Sequence, residues 1–531
     1  MILLLRFNIY SNEADQANSF YEGVEAVRNV LEFLEQSADK YASEVAAEDE
    51  FGSCTYSSLL ETSRRIGSAL AGRIQPHAPV AVFMEKSIDT LCAFFGAVYA
   101  GGFYSLMNPQ LPEERLKQIR SVLNASTIIT DCEHLDLAKT VFGEEKILLI
   151  DDLKACAVNG ELLRAIRESA ADTDPLYANF TSGSTGVPKG VLVSHRSVID
   201  FINNFTEIFS ITKEDVIGNQ APFDFDVSVK DIYSAIKTGA RLVIIPKRLF
   251  SNPVPLLDFI CEHEVTTMTW AVSALCLITT FHGLDYKAPE KVNKILFSGE
   301  VMPLKHLNAW MDHLPNATFV NLYGPTEITC NCTYHVIDRN RDYENGIPIG
   351  KAFPNKDVFL LSDDNTKITE PNIAGEICVR GTALALGYYN APEQTAKAFV
   401  QNPLNPYYPE LIYRTGDFGK YDENGDIMFG GRRDFQIKHM GHRIEIEEIE
   451  KAINNTNGIE RCCCIFDESK SKLYGFYIGS LEKKELHFKL KERLPEYMIP
   501  NALRKLEAMP LTPNGKIDRK ALINGVKSKQ R

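Results

Sequence analysis

An α/β fold is predicted: a large multi-subdomain N-terminal domain of layered sheets and helices, followed by a small α+β C-terminal domain. Three observations predict it. Short apolar runs of strand length alternate with amphipathic helical stretches, the rhythm of βα layers rather than of a sandwich. The 531 residues exceed what one growing core accommodates, so more than one domain is expected. The glycine-rich, charged run Gly430-Gly431-Arg432-Arg433-Asp434 separates a β-rich stretch from the last block of the chain. The boundary placed there divides the chain into 1–433 and 434–531.

Taken in order, residues 25–45 and 58–75 read as amphipathic helices, with Leu59, Leu60, Ile66 and Leu70 among the apolar positions. A short strand at 80–83 precedes a helical region through Ala100, which Gly101 and Gly102 break. Residues 127–130 and 147–150 read as buried strands separated by helical segments, and 241–245, 265–269 and 295–297 continue the rhythm. Residues 375–379 and 426–429 are assigned to a β-rich later portion. The last block opens on a strand at 435–438, then a helix over 446–453, a strand over 472–478 and a polar turn at 512–516. Cys462, Cys463 and Cys464 are adjacent, so they cannot all face one metal. A strand with alternating burial accounts for them.

Composition narrows the function classes. The chain is 44% hydrophobic and 24% charged, ordinary for a globular protein, and its formal charge of −13 opposes a general nucleic-acid surface. The N-terminus carries too few apolar residues for a secretory leader, and no integral membrane segment of ~20 apolar residues is found. Cytoplasmic residence is the resulting expectation. Twelve cysteines scattered through a chain of this length are unlike a small disulfide scaffold.

The densest chemical signal is the run from Thr181 to Gly190. Gly183, Gly186 and Gly190 let the backbone turn sharply and approach a ligand. Its exposed N–H groups can form an anion-binding concavity. Thr181, Ser182, Ser184 and Thr185 add hydroxyl donors, and Lys189 a point charge suited to phosphate. It is not the ordinary nucleotide P-loop, because Lys189 follows Pro188 and precedes Gly190.

With the motifs Phe225-Asp226, Tyr323-Gly324-Pro325-Thr326-Glu327, Tyr413-Arg414-Thr415-Gly416-Asp417, Gly431-Arg432-Arg433-Asp434 and Asn514-Gly515-Lys516, the chain resembles the adenylate-forming (AMP-binding) superfamily. Within it, the resemblance is to amino-acid adenylation domains of nonribosomal peptide synthetases and to stand-alone D-alanine:carrier-protein ligases. The resemblance implies that the run from Thr181 to Lys189 cradles the ATP β- and γ-phosphates. Asn321 and Tyr323 would hold adenine, Thr326 the α-phosphate, Glu327 the Mg²⁺, and Asp417 the ribose hydroxyls, with Arg432 nearby. Asp434 would be the hinge of a mobile small domain. Lys516 would reach the reacting oxygens during adenylation, while Lys438 and Gly441 would face the site in the thiolation pose.

The same resemblance implies two steps: an amino-acid carboxylate attacks ATP, and a phosphopantetheine thiol then takes the aminoacyl group. Asp226 matches the carboxylate that pairs with the substrate ammonium, for which a fatty-acid pocket has no use; Asp224, two residues away, could share a strand face with it, but the family register favours Asp226 and gives Asp224 a structural role. Val227, Lys230, Thr269, Leu296, Ser298, Leu322, Cys330 and Asn331 match side-chain-selecting positions. D-alanine or another small amino acid is preferred. Lys230, if it points inward, opens an acidic side chain instead; if outward, it is merely solvated. A separate phosphopantetheinylated carrier protein is implied, since only fifteen residues follow Lys516. An acyl-CoA ligase and a nonhydrolytic nucleotide-binding or carrier-docking protein remain as alternatives.

Overall fold

A computed structural model describes residues 27–183, 187–432, 436–467, 470–511 and 517–528. The mixed α/β expectation holds. Pro79–Phe83 is buried at every position, the mark of a parallel strand covered on both faces. It lies in a seven-stranded sheet ordered Gly387–Tyr388, Lys189–Ser194, Pro175–Thr181, Phe103–Leu106, Pro79–Phe83, Thr127–Thr130, Ile147–Leu149. A nine-stranded sheet is ordered Lys351–Ala352, Thr333–Val336, Thr318–Tyr323, Lys294–Ser298, Thr267–Ala271, Val216–Asn219, Arg241–Ile244, Val45–Asp49, Gly52–Thr55. From Thr318–Tyr323 to Val45–Asp49 every pairing is parallel.

One core cluster joins the two sheets. Val80 and Tyr104 come from one, Ile217 and Leu242 from the other, and Phe94, Phe95 and Tyr233 from helices. Tyr104 stacks on Phe94 with ring centroids 4.0 Å apart and meets the Tyr233 hydroxyl at 2.9 Å. The helices Tyr56–Leu70 and Ile88–Tyr99 pack through two glycines. A Cβ at Gly67 would lie 2.4 Å from Tyr99 Cβ, and one at Gly96 2.4 Å from Ile66 Cγ2. Any side chain there would force the helices apart.

The expected helix over 25–45 is shorter, Leu31–Lys40. Val45–Asp49 is instead a strand, because it pairs in parallel with Arg241–Ile244; a distant partner outweighs local propensity. The helix expected over 58–75 spans Tyr56–Leu70, started by the Thr55 side chain, which accepts from the Ser58 N–H. The β-rich later portion is a six-stranded antiparallel sheet in which Leu411–Tyr421 pairs with Ile427–Arg432 and sets Asp417 opposite Arg432.

Beyond it come a hairpin, Gln436–His439 with His442–Glu445, the helix Ile446–Asn454, and a sheet of Ile459–Asp467, Lys472–Gly479 and Ala502–Lys505. Cys462, Cys463 and Cys464 lie on a strand as expected, but all three are buried. Their side chains do alternate: Cys462 and Cys464 join one cluster with Ile449 and Leu486, while Cys463 joins another with Tyr474 and Leu522. Both faces are covered, so alternation of direction gives no alternation of exposure. No helix among the described residues is long and apolar enough to cross a membrane.

His195 ties the start of the described chain to this frame. Its Nδ1 accepts the Val30 N–H at 3.3 Å, and burial, helped by Arg167, pushes its pKa down to about 3. The folded state therefore holds a neutral imidazole where the unfolded state protonates below about pH 6.5. Stability from this group is present above pH 6.5 and is lost as pH falls towards 3, by about 1.4 kcal/mol per pH unit. Between pH 6 and 4 this group adds that slope to those of the other buried histidines such as His442, and equilibrium unfolding of His195→Gln, which keeps an acceptor, should show a slope smaller by about 1.4 kcal/mol per pH unit.

Candidate active site

The parallel strands of the nine-stranded sheet end together, and crevices beyond the carboxyl ends of such strands are where α/β sheets bind ligands. Here the strand ends supply Ser298 and the segment after Tyr323, and a cavity is lined by Thr181, Ser182, Asp224, Asp226, Val227, Ser298, Thr326, Cys330, Asn331, Lys438, Gly441 and Arg443. Widely spaced sequence motifs therefore share one wall.

Thr181 ends the strand Pro175–Thr181, and Lys189 opens its antiparallel partner, so the glycine-rich run is the connection between them. Gly183 is required there by close approach: a Cβ would lie 2.1 Å from Val187 O. The Lys189 ammonium lies 5.3 Å from the Tyr388 ring centroid. Ser184, Thr185 and Gly186 fall outside the described residues, as do Asp434 and Lys516.

Asp226 precedes the helix Val227–Thr238 but makes no side-chain capping bond, which leaves its carboxylate for the cavity. Burial raises its pKa, opposed by Lys230 and by a Thr326 hydrogen bond. Asp224 lines the same cavity with an unpartnered Oδ1, and burial pushes it up to about 6.

Lys230 is buried rather than solvated. It is 1% exposed, and its Nζ donates to Asn331 Oδ1 at 2.8 Å; burial lowers its pKa against the pull of Cys330, Asp226 and Asp231. Val227, Ser298, Cys330 and Asn331 line the cavity. Lys230, Thr269, Leu296 and Leu322 are buried and are not among its lining residues. Thr269 donates its hydroxyl proton to Asp231, and Leu296 and Leu322 are core residues. Thr329 and Cys330 carry φ of 54° and 67°, left-handed backbone costing about 1–3 kcal/mol each for residues with side chains. That turn brings Cys330 and Asn331 to the wall.

Glu327 and Asp417 are nearly solvent-free, each 1% exposed. Asp417 Oδ2 accepts from Tyr323 Oη at 2.5 Å and Oδ1 from Arg432 Nη1 at 2.5 Å. Glu327 Oε1 accepts from Tyr388 Oη at 2.6 Å and Oε2 from Arg443 Nη1 at 2.8 Å. Burial would raise the Glu327 pKa, but Arg443 and Tyr388 overcome it and hold it below the usual carboxylate value. Asn321 Nδ2 donates to Pro348 O at 2.8 Å. The Lys438 ammonium lies 5.1 Å from the Tyr323 ring centroid.

The hairpin 436–445 enters this cavity. Its turn, Met440-Gly441, has φ of 53° and 80°, the two positive values of a two-residue hairpin turn. Gly441 N–H donates to Glu300 Oε1 at 3.0 Å, and His442 stacks on Tyr497 at 3.5 Å. Sequence reasoning missed Arg443 and Tyr388. For Arg443 a signal exists: it is two residues beyond Gly441, and Lys438 and Arg443 are direct cross-strand partners. Tyr388 lies 61 residues from Glu327, and no local pattern marks it.

Comparison with known proteins identifies the family of the chain. The family model "AMP-binding enzyme" matches residues 34–389. Bacitracin synthase 1 of Bacillus licheniformis is 33% identical over 93% of this chain, which spans only 9% of that protein. Zwittermicin A synthase ZmaJ of Bacillus cereus is 32% identical, covering 93% of this chain and 94% of its own length. The solved structure of holo-PA1221, a nonribosomal peptide synthetase protein containing adenylation and PCP domains, superposes with a TM-score of 0.81 at 26% identity, covering 94% of this chain and 84% of that one. Peptide-synthetase proteins with adenylation domains are among its relatives, and the chain belongs to the AMP-binding enzyme family.

Proposed function

We propose that this protein adenylates an amino acid with ATP and passes the aminoacyl group to the phosphopantetheine thiol of a carrier protein. The observation that carries it is Asp226: a carboxylate at a helix start that caps nothing and lines one cavity with Thr181, Ser182 and Thr326. A carboxylate so placed is the natural seat for a substrate ammonium, whose charge offsets the cost of its burial. Sequence likeness to peptide-synthetase adenylation domains supports the same class.

In this reading the glycine-rich connection, Ser184, Thr185 and Gly186 included, holds the β- and γ-phosphates with Lys189. Asn321 and Tyr323 hold adenine. Asp417 takes the ribose hydroxyls, since a carboxylate oxygen keeps a second lone pair beyond its bonds to Tyr323 and Arg432. The substrate carboxylate oxygen attacks the α-phosphorus, the bond to the β-phosphate breaks, and pyrophosphate leaves. Lys516 stabilises the charge on the reacting oxygens. The thiol sulfur then attacks the acyl carbon and AMP departs, with Asp434 as the hinge between a domain of residues 1–433 and one of 434–531. Lys438 and Gly441 face the site in that second pose. The PCP domain of the PA1221 relative supports a carrier as acceptor.

Among the described residues no three His, Cys, Asp or Glu side chains gather into a metal cage. One buried carboxylate beside a phosphate-binding run nevertheless suits Mg²⁺, which is commonly held by one or two carboxylates plus substrate phosphates and water. Glu327 would hold it, and the ion would supply charge neutralisation to the departing phosphates.

A small amino acid, D-alanine included, suits a wall of Val227, Ser298 and Cys330. The buried Lys230, hydrogen-bonded to the cavity-lining Asn331, favours a second reading, an acidic amino acid whose side chain meets Lys230 through or beside Asn331.

Amino-acid-dependent pyrophosphate exchange across all D- and L-amino acids tests the reaction class. Exchange with one or a few amino acids is expected; exchange only with non-amino carboxylates would select an acyl-CoA ligase, and none at all would leave a binding protein. Lys516→Ala should lower exchange by about 10²–10³-fold, the usual loss of one transition-state donor. If the substrate is acidic, Lys230→Met should cut its kcat/KM at least about tenfold relative to an apolar competitor; an unchanged ratio would discard the pairing.

A further inference from the structure

The cavity wall carries two polar atoms that the protein leaves without partners. Asp224 Oδ1 and His442 Nδ1 are buried and make no hydrogen bond to any described residue, and both residues line the cavity. A buried polar atom of this kind is costly unless a ligand meets it. The two residues come from distant parts of the chain and meet at one seam. Phe225, next to Asp224, packs edge-on against the His442 ring at 4.3 Å, and Tyr497 stacks on that ring at 3.5 Å.

Of the titratable side chains that line the cavity, Asp224 alone is free to take a proton at neutral pH. Asp226 is assigned above to the substrate ammonium, and Lys438 and Arg443 are cations. Cys330 donates its thiol proton to Asp226 O at 3.2 Å, and burial pushes its pKa well up. Burial likewise raises Tyr497, which keeps its proton. His442 is free, but burial, with His439 and Lys247 near it, pushes it down to about 3, so it is a weak base. Burial instead raises Asp224 to about 6, against the pull of Lys247, Asn108 and Lys86. Asp224 is therefore ionised at pH 7 yet basic enough to hold a proton, the balance a general base requires. Neither lysine closes on it: Lys86 Nζ donates to Asn219 Oδ1 at 3.0 Å and Lys247 Nζ to Gln110 Oε1 at 2.6 Å.

We propose that Asp224 is the general base of the second step, its free Oδ1 taking the proton of the phosphopantetheine thiol as the sulfur attacks the acyl carbon. The inference rests on the aminoacyl-transfer reading above, in which the acyl group seated by Asp226 and Thr326 lies in this cavity. The sulfur–carbon bond forms as the S–H bond breaks. The acyl carbon–oxygen bond then breaks, its electron pair leaves on AMP, and the proton passes from Asp224 to water. A thiol of ordinary pKa, about 8.5, is only about 3% ionised at pH 7. A base therefore raises the rate by up to about 30-fold at pH 7 and by little at pH 9. His442, held neutral, does not compete for the proton.

Single-turnover transfer to pantetheine tests this. The full chain, in excess over ATP, is loaded with Mg²⁺ and the amino acid it activates. Pantetheine is then added at a series of pH values, and the thioester is followed by mass spectrometry. Hydroxylamine added to a parallel sample at pH 7 traps the adenylate as hydroxamate and reports how much was loaded. The wild-type rate per adenylate should rise through about pH 6, as the carboxylate loses its proton, and level off above about pH 7. Asp224→Asn should instead climb about tenfold per pH unit up to about pH 8.5, lying about 30-fold below wild type at pH 7 and within about threefold of it at pH 9. A wild-type rate that follows thiol ionisation up to pH 8.5 would overturn the proposal without need of a variant, as would a wild-type profile in Asp224→Asn. If the wild-type protein yields no hydroxamate, the adenylation reading fails first, and this inference falls with it.

Discussion

Two carboxylates buried almost out of contact with water, Glu327 and Asp417, impose the constraint around which the site is arranged. Taking an ion out of water costs several kcal/mol unless it is paired and hydrogen-bonded. Each carboxylate therefore has an arginine on one oxygen and a tyrosine on the other. These partners come from different parts of the fold: Tyr323 from the nine-stranded sheet, Tyr388 from the edge of the seven-stranded sheet, Arg432 from the antiparallel sheet, and Arg443 from the hairpin. Satisfying the two charges brings four separate structural units to one place.

The same logic extends to the substrate side. Asp226, Asp231 and Lys230 sit within two turns of one helix and are buried or half-buried. Asp231 is satisfied by Asn219 and Thr269 and Lys230 by Asn331, whereas Asp226 makes no capping bond and faces the cavity. An ammonium arriving at Asp226 would complete a charge pattern that the chain alone leaves open. In the proposed reading, that asymmetry is what distinguishes an amino-acid pocket from one built for an uncharged acyl tail.

Much of this was legible in the sequence, for identifiable reasons. Parallel strands buried on both faces are unbroken apolar runs, so 80–83, 127–130 and 241–245 stood out. The motif residues 181–183, 187–190, 226, 323–327 and 417 belong to local motifs, and in the fold they surround one region. What escaped depends on distance. Tyr388 and Arg443 act on Glu327 across 61 and 116 residues; nothing near Tyr388 announces a carboxylate partner, and the place of Arg443 just beyond Gly441 marks its hairpin but not its partner. The direction of Lys230 was undecidable without knowing that Asn331 lies beside it. The strand at Val45–Asp49 was hidden because its partner is almost two hundred positions away, at Arg241–Ile244. The three cysteines misled about exposure because a second cluster covers the other face of their strand.

The central claim is that the cavity selects an amino acid through Asp226 and joins its carboxylate to AMP. Its most direct test is chemical identification of the adenylate itself. Protein incubated with ATP, Mg²⁺ and an equimolar mixture of amino acids and their desamino counterparts would be quenched, and the bound acyl-AMP identified by mass spectrometry. The account predicts an adenylate carrying a free α-amine, lost when Asp226→Asn is used. An adenylate formed from a desamino acid in preference to its amino partner would contradict it.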